Sequence, residues 1–332
     1  MAVPTHPLPR PPRRLALACL GVLALRPWAT AGAQAWPARP LKLVVNFPPG
    51  GASDQLARAL AGPLQDALGQ PVVVENKAGS GGTLGGAAVA QAPPDGHTLL
   101  MSSGAMLSVT PHLYARLPFD PVKDLLPVAA VARVGVFLVV PADSPWRDWP
   151  TFLADLKAHP GQRSYGSPGN GSAPHLAAEL MKSLTGTQAV HVPYRGAAPA
   201  LNDLLGGQLD FLFDPGIALP HIRSGRLRLL AVGSLQRSAH FPEVPTLAER
   251  GLPGFDADTV FGLYAPAGTP PAVQQRLGDV VSRIVATPAL RERIAAMGGE
   301  PALLNAAEFG ARMAADGRRF GSLIRERRIV GD

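Results

Sequence analysis

Short apolar runs alternate with segments of helical spacing along the first half of the chain. The run at residues 41–45 is almost entirely apolar and predicts a buried strand, whereas residues 55–68 carry apolar side chains at helical spacing. Further strands are predicted at residues 71–76 and 98–103, with a helix of small side chains at residues 87–92 between them. Strands that alternate with helices indicate a mainly parallel sheet flanked by helices.

A second unit of the same kind follows a break at residues 145–150, where tryptophans and prolines interrupt the pattern. Its predicted helices and strands occupy residues 151–158, 175–184, 189–192, 199–205, 209–213 and 227–232. The chain then returns to the first unit with a strand at residues 262–266 and three helices after it. We therefore predict two lobes, residues 36–140 plus 243–332 and residues 141–242, joined by a two-segment hinge that permits closure.

The junction between the first strand and the first helix predicts an anion-binding turn. Residues 47–54 contain two prolines, which fix φ, and two glycines, Gly50 and Gly51, whose N–H groups no side chain covers. N–H groups at a helix start have no intrahelical partner and lie at the positive end of the helix dipole. A carboxylate or a phosphate is therefore the expected guest.

The second unit carries a comparable turn. The serine- and glycine-rich residues 164–172 precede the predicted helix at residues 175–184. Two such turns, one on each lobe, indicate that the lobes hold one ligand from opposite sides. His175 lies in the first turn of that helix, where we expect it to organise the loop rather than to titrate on the ligand.

Two polar residues near these turns, Asp54 and Arg195, each allow two interpretations. Asp54 could bond free N–H groups of its own helix start, which we favour, or meet an amino group of a ligand. Tyr194 and Arg195 follow a strand of the second lobe, and the Arg195 guanidinium could fork onto a second ligand carboxylate or fix the hinge. Both roles of Arg195 remain open.

The N-terminus predicts a secretory signal peptide over residues 1–33. Arginines precede an apolar run at residues 15–25, and Ala31-Gly32-Ala33 offers a small-residue cleavage site. The run is too short to span a bilayer, and export through the general or the twin-arginine route remains open. The single cysteine, Cys19, falls within the signal, so we expect no disulfide in the mature chain.

The formal charge of +7 over 332 residues overstates the basic character of the mature chain. Removal of residues 1–33 leaves 27 basic against 24 acidic residues, and the basic run at residues 312–328 lacks the interleaved aromatic side chains of a nucleic-acid surface. The histidines have no metal-ligand spacing. We expect no metal, no cofactor and no nucleic-acid partner.

Known catalytic motifs are absent from the sequence. No serine lies in the Gly-x-Ser-x-Gly elbow of α/β-hydrolases, and the glycine-rich residues 79–86 match neither dinucleotide nor phosphate-loop spacing. The alternative to a binding protein is a secreted hydrolase or lyase that uses Ser167, His175 and Asp214. We favour a protein without catalytic residues.

Seven motifs in order resemble those of the Bug (TctC-like) solute-binding receptors of tripartite tricarboxylate transporters, from about Trp36 to the C-terminus. They are Phe47-Pro48-Pro49-Gly50-Gly51 with Asp54, Val72-Val73-Val74-Glu75-Asn76-Lys77, Pro94-Asp95-Gly96, Gly169-Asn170-Gly171-Ser172 with His175, His191-Val192-Pro193-Tyr194-Arg195-Gly196, Leu204-Leu205-Gly206-Gly207-Gln208 and Ala265-Pro266-Ala267-Gly268-Thr269-Pro270. The resemblance implies a type II periplasmic-binding-protein fold, an α/β Venus flytrap that encloses a small carboxylate between its lobes.

The resemblance also implies which residues contact the ligand. One side of the site would comprise Phe47, Gly51 and Ala52, with Ser102, Ser103 and Ala105 after the third strand. The other side would comprise Ser167, Asn170, Gly171, Ser172 and, after a later strand, Asp214. Asn46 departs from the family, which usually has proline there, and this change could shift the choice of ligand.

The implied partners follow from the same resemblance. A monomeric periplasmic receptor would deliver its carboxylate to an inner-membrane permease of a tripartite tricarboxylate transporter. A sensor kinase that docks the closed receptor is an alternative partner, which sequence does not distinguish. The identity of the carboxylate also remains open.

Overall fold

The computed structural model describes residues 1–2 and 36–331, so the predicted signal peptide lies almost entirely outside the described residues. The strands are β1 (Leu41–Val45), β2 (Val72–Asn76), β3 (Thr98–Ser103), β4 (Leu125–Val134), β5 (Phe137–Pro141), β6 (Ser164–Ser167), β7 (Val190–Pro193), β8 (Phe211–Asp214), β9 (Leu227–Val232), β10 (Thr259–Pro266) and β11 (Gly299–Pro301). The helices are α1 (Ala52–Leu68), α2 (Thr83–Ala90), α3 (Ala105–Ser108), α4 (Thr110–Leu113), α5 (Pro121–Asp124), α6 (Trp149–Ala158), α7 (Ala173–Thr185), α8 (Ala197–Leu205), α9 (Leu219–Arg223), α10 (Pro271–Val285), α11 (Pro288–Ala296) and α12 (Ala306–Arg327). No helix within residues 36–331 is both long enough and apolar enough to cross a bilayer.

The strands form two separate sheets with matching strand orders. The first sheet is ordered β11-β4-β10-β3-β1-β2, and the second is ordered β7-β6-β8-β5-β9. Read in the opposite direction, the second sheet repeats the order of the first, with β6, β7 and β8 in the places of β1, β2 and β3. In each sheet the strand next to this trio, β10 or β5, runs antiparallel to it. The turns after β1 and β6 therefore occupy equivalent places, as do the ends of β3 and β8.

The chain changes sheets at two places. It leaves the first sheet between β4 and β5, at Gly135 and Val136, and returns after β9 through residues 233–258. Residues 137–140, which the sequence interpretation assigned to the first lobe, pair with β8 and β9 of the second sheet. We propose that the lobe boundaries follow the sheets rather than residues 140 and 243.

Helices cover both faces of each sheet, and the last helix contacts both units. In the first sheet, α1, α10 and α11 contribute to the core on one face. At its start α12 places Phe309 and Met313 in the core on the other face. At its end α12 packs Phe320, Leu323 and Ile324 into the core of the second unit. The two sheets are thus joined by a shared helix as well as by the two chain crossings.

Candidate ligand site at the carboxyl ends of the strands

Four of the predicted segments lie at equivalent ends of neighbouring strands. β1 and β3 are adjacent parallel strands, and so are β6 and β8. The carboxyl ends of adjacent parallel strands meet at one edge of a sheet, which is where ligands bind in open α/β folds. The residues that follow β1 therefore lie beside those that follow β3, and the residues that follow β6 lie beside those that follow β8.

The turn after β1 presents open main-chain donors. Gly51 is the N-cap of α1, and no side chain caps this helix start. Within residues 36–331, no acceptor bonds the N–H groups of Gly51, Ala52 or Ser53. Gly50 has a φ of 86°, which favours glycine, but its N–H is donated to Asp54 Oδ2 at 2.9 Å. The cradle therefore consists of the amides from Gly51 onward, and Gly50 shapes it.

Asp54 holds this turn in place. Its carboxylate accepts the Gly50 N–H, the Arg58 guanidinium at 3.0 Å and Asn76 Nδ2 at 3.0 Å. Asn76 also donates to the Phe47 carbonyl at 3.1 Å. The hydrogen bond from Arg58 is the main reason that the pKa of Asp54 is lowered to about 2. A carboxylate with this many protein donors supports the turn, but it bonds the Gly50 N–H rather than the N–H groups of the helix start that the sequence interpretation favoured.

The turn after β6 differs from the expectation of open amides. Gly169 N–H donates to Ser167 Oγ at 3.2 Å, and Gly171 N–H donates to His175 Nδ1 at 3.0 Å. Ser172 N–H donates to the Gly169 carbonyl at 3.2 Å, and Ser172 Oγ caps α7 by accepting from His175 N–H at 3.4 Å. Polar side chains and the Gly169 carbonyl thus bond the N–H groups of Gly169, Gly171 and Ser172. Of the two turns, the one after β1 is the open main-chain cradle.

His191, which sequence analysis did not select, is part of this second turn. Its Nε2 atom lies 2.7 Å from Ser167 Oγ, and its ring stacks on His175 with centroids 3.9 Å apart. Burial, and next the neighbouring His191, lower the pKa of His175 to about 4, so His175 is neutral and can accept the Gly171 N–H. The signal that would have identified His191 is the register of β6 and β7, which pairs Tyr165 with His191.

Buried polar atoms without partners lie at the ends of β1 and β3. Asn46 and Ser102 follow the paired residues Val45 and Met101, and both side chains are fully buried. Within residues 36–331, Asn46 Oδ1 and Ser102 Oγ have no hydrogen-bond partner. Ser103 is also buried, and Ala105 is half-buried against the core of the second unit. Unsatisfied buried polar atoms are costly, so they indicate an unmet interaction.

Asp214 provides the equivalent group at the end of β8. Its Oδ1 atom accepts the N–H groups of Gly216 at 2.7 Å and Ala218 at 2.8 Å. Its Oδ2 atom is buried and has no hydrogen-bond partner in the described part of the chain. Burial raises the pKa of Asp214 to about 6 despite these main-chain donors. The free oxygen can accept a donor, or carry a proton and donate.

Tyr194 and Arg195 have different surroundings. The Tyr194 hydroxyl donates to Asp203 at 2.6 Å, and its ring packs in the core beside α8, so this side chain supports the lobe. Arg195 is exposed and makes no ion pair or hydrogen bond with the described residues. Its guanidinium does not fix the hinge in this structure and is free for an anion.

Two residues at the end of α4 contact the turn after β6 and the glycine-rich segment after β2. A Cβ atom at Gly171, which has a φ of 72°, would overlap the Leu113 side chain, and one at Gly81 would overlap the Tyr114 hydroxyl. Leu113 ends α4 and Tyr114 follows it. Sequence analysis missed this contact because nothing in the local pattern predicts which loop a short helix touches.

The residues of the alternative hydrolase do not form a triad. Ser167 Oγ pairs with His191, His175 Nδ1 is occupied by the Gly171 N–H, and Asp214 bonds main-chain amides of its own turn. Among the described residues, these three side chains make no hydrogen bond to one another. A nucleophile needs a base within hydrogen-bond reach and an acid that orients the base.

Comparison with known proteins agrees with this fold and these motifs. Residues 56–329 match the model of the tripartite tricarboxylate transporter family receptor. Protein BugT of Bordetella pertussis is 40% identical over 319 residues, which cover 93% of this chain and 96% of BugT.

Two solved structures of about 30% identity share the fold. Rpa4515 of R. palustris with adipate is 30% identical, with a TM-score of 0.77 over 90% of this chain and 100% of that one. MatC of Rhodopseudomonas palustris with bound malate is 31% identical, with a TM-score of 0.72 over 87% of this chain and 99% of that one. The predicted type II periplasmic-binding-protein fold and the predicted resemblance are confirmed, and the chain belongs to the tripartite tricarboxylate transporter receptor family.

Proposed function

We propose that this chain is a periplasmic receptor that binds a small organic carboxylate between its lobes and delivers it to a tripartite tricarboxylate-type permease. The carrying observation is the open set of amides at Gly51, Ala52 and Ser53, which begins a helix and has no side-chain cap. Charge-assisted bonds from such donors are each worth about 1.5 to 3 kcal/mol. Three of them contribute about 4.5 to 9 kcal/mol before ordering costs, so micromolar affinity also requires contacts from the second lobe.

The two lobes contribute different chemistry to this proposed site. The first lobe supplies main-chain donors at the start of α1 and the buried Ser102 hydroxyl. The second lobe supplies side chains, namely the free oxygen of Asp214 and the unpaired Arg195 guanidinium. Asn170 and Ser172 lie in the turn after β6. A ligand whose carboxylate accepts from the α1 amides and whose second polar group reaches Asp214 satisfies both sides of the site.

Related receptors support a dicarboxylate as the ligand class. Rpa4515 is described with adipate and MatC with malate. We propose the same class for this chain, with export by a cleaved signal peptide over residues 1–33 and action as a monomer. A sensor kinase is the alternative partner.

The absence of catalysis is part of the proposal. It is supported by the separate hydrogen-bond partners of Ser167, His175 and Asp214. Saturable binding without turnover of malate, adipate or their esters supports a receptor, whereas turnover would revive the hydrolase alternative.

The test is calorimetry with malate and adipate on the wild type and on Gly51→Val. Gly51 has a φ of −73°, and a Cβ there meets only the Pro48 carbonyl at 3.6 Å, so the variant is expected to fold. Its side chain covers the open amides, and we expect at least a 100-fold loss of affinity with unchanged circular dichroism. Gly62→Ala, at an exposed position on the same helix, is the control with unchanged affinity. Unimpaired binding by Gly51→Val would refute the cradle.

A further inference from the structure

A cavity lies between α7 and the C-terminal end of α12, and it meets the turn after β6 at Asn170 and His175 while its charged side chains lie outside the proposed carboxylate site. Its volume is about 420 Å³. It is lined by Asn170, His175, Glu179, Lys182, Arg327, Arg328, Ile329 and Val330. We call it the α7–tail cavity. Three of its side chains are cationic and one is anionic.

The single carboxylate does not neutralise the cations. Glu179 Oε1 accepts Lys182 Nζ and the Tyr165 hydroxyl, both at 2.6 Å. Arg327 Nε lies 3.5 Å from Glu326 Oε1 and 3.9 Å from Glu179 Oε2, and it is buried without a hydrogen-bond partner among the described residues. Arg328 is exposed, and its guanidinium makes no ion pair within residues 36–331. With Glu326 beside Arg327, the cavity and its immediate surroundings carry an excess of one positive charge.

We propose that the α7–tail cavity binds a small oxyanion, a phosphate or a carboxylate, as a second site distinct from the ligand held between the lobes. Guanidinium groups bind planar oxyanions through two parallel hydrogen bonds, and Arg327 and Arg328 are adjacent at the rim. The half-buried Ile329 side chain reduces solvent on one side of the site, which strengthens charge pairing there.

An anion in this cavity would join two elements that belong to different parts of the fold. Lys182 is on α7 of the second unit, whereas Arg327 and Arg328 end the helix that starts on the first sheet. The cavity also shares His175 with the turn after β6, where His175 accepts the Gly171 N–H. The residues beyond the cavity contact α4, since Gly331 N–H donates to the Leu113 carbonyl at 3.3 Å. Occupancy would therefore steady α12 against α7 beside one of the ligand turns.

The experiment is calorimetric titration of the wild-type protein with inorganic phosphate and, separately, with malate in the Gly51→Val variant. We expect saturable phosphate binding that is unchanged by Gly51→Val, because that substitution blocks only the proposed carboxylate cradle. The double variant Arg327→Gln, Arg328→Gln should weaken phosphate binding at least 10-fold. Residual malate binding by Gly51→Val that is lost in the triple variant would identify a carboxylate as an occupant too.

Arg318→Gln is the matched control, because Arg318 is an exposed cation on the same helix without an ion pair in the described residues. Its phosphate affinity should equal that of the wild type. Equal weakening by Arg318→Gln would show a general charge effect and overturn the second site. Absence of saturable phosphate binding, or loss of phosphate binding in Gly51→Val alone, would also overturn the second site. Failure of malate to bind the wild type would count only against the proposed function.

Discussion

Asp214 is a residue whose surroundings disfavour its charge. Burial raises its pKa to about 6 from an ordinary value of 3.8. Because the folded-state pKa is raised, the folded protein gains stability from the bound proton at low pH and loses it as the pH rises from about 4 through 6. A shift of this size corresponds to about 3 kcal/mol of lost stability at pH 8.

Asp214→Asn should therefore stabilise the ligand-free protein at pH 8 and destabilise it by about 1 to 2 kcal/mol at pH 4, where the wild-type carboxyl is protonated. We expect a gain of about 1 to 2 kcal/mol at pH 8, since the buried amide then lacks an acceptor and offsets part of the benefit. Urea unfolding at both pH values measures the change in the free energy of unfolding, with Asp66→Asn at an exposed position of α1 as control. A destabilised variant at pH 8 would mean that the ionised carboxylate is favoured in its site.

Sequence analysis predicted the role of single residues well where that role depends on neighbours in the sequence. Gly51 follows a buried strand and begins a helix, and its open amide is where that pattern indicates, whereas the Gly50 N–H is donated to Asp54. The expectation of open amides at Gly171 and Ser172 was wrong, because their acceptors, His175 Nδ1 and the Gly169 carbonyl, depend on the loop's folded path. His191 was missed because its contact with Ser167 crosses between strands.

At the scale of elements, the two helix starts should respond oppositely to changes in capping. Ser172 caps α7, whereas α1 begins at Gly51 without a side-chain cap. Ser172→Ala should lower the free energy of unfolding by about 1 kcal/mol and weaken carboxylate binding only modestly.

Gly51→Ser should raise stability by a few tenths of a kcal/mol and weaken binding clearly, because the new hydroxyl bonds the amides that the ligand uses. Chemical unfolding and calorimetry on both variants provide the measurement. Strong loss of binding in Ser172→Ala with none in Gly51→Ser would assign the cradle to the other lobe.

The order of the longer elements was also predictable, but the short helices α3, α4 and α5 were not. The predicted lobe boundary at residue 140 kept the apolar residues 128–140 in one lobe, but β4 and β5 divide them at Gly135 and Val136 and belong to different sheets. Both strands are buried, so their residues carry the same apolar signal. Sheet membership depends on pairing with strands that come much later in the chain.

At the scale of the whole molecule, a buried charge cluster joins the segments where the chain changes sheets. Arg133 on β4 contacts Asp258 Oδ2 at 3.2 Å and also bonds Glu300 on β11. Asp258 precedes β10 and accepts the Ser234 hydroxyl, and Glu300 Oε1 accepts the Ala239 N–H at 3.0 Å. Ser234 and Ala239 belong to the segment after β9. The cluster thus ties the first sheet to the returning chain.

Arg133→Met should weaken the fold in a pH-dependent way. Burial, then repulsion from Asp256, already raises the pKa of Asp258 to about 6, and loss of the guanidinium raises it further. An acid with a raised folded-state pKa loses stability as the pH rises above its unfolded value, so the deficit of the variant should grow from pH 4.5 to pH 8. We expect a deficit of about 2 to 4 kcal/mol at pH 8, because an unpaired buried carboxylate remains.

Urea unfolding of Arg133→Met at the two pH values distinguishes charge from packing. Arg39→Met removes an exposed partner of Asp95 and should change stability by less than about 1 kcal/mol at either pH. Arg133→Lys keeps the charge and should recover part of the loss. If the deficit of Arg133→Met is the same at both pH values, the aliphatic stem of Arg133 rather than its charge holds these segments together. A pH-dependent deficit instead makes the charge cluster a structural part of the hinge, and closure on a ligand must then preserve it or exchange its partners.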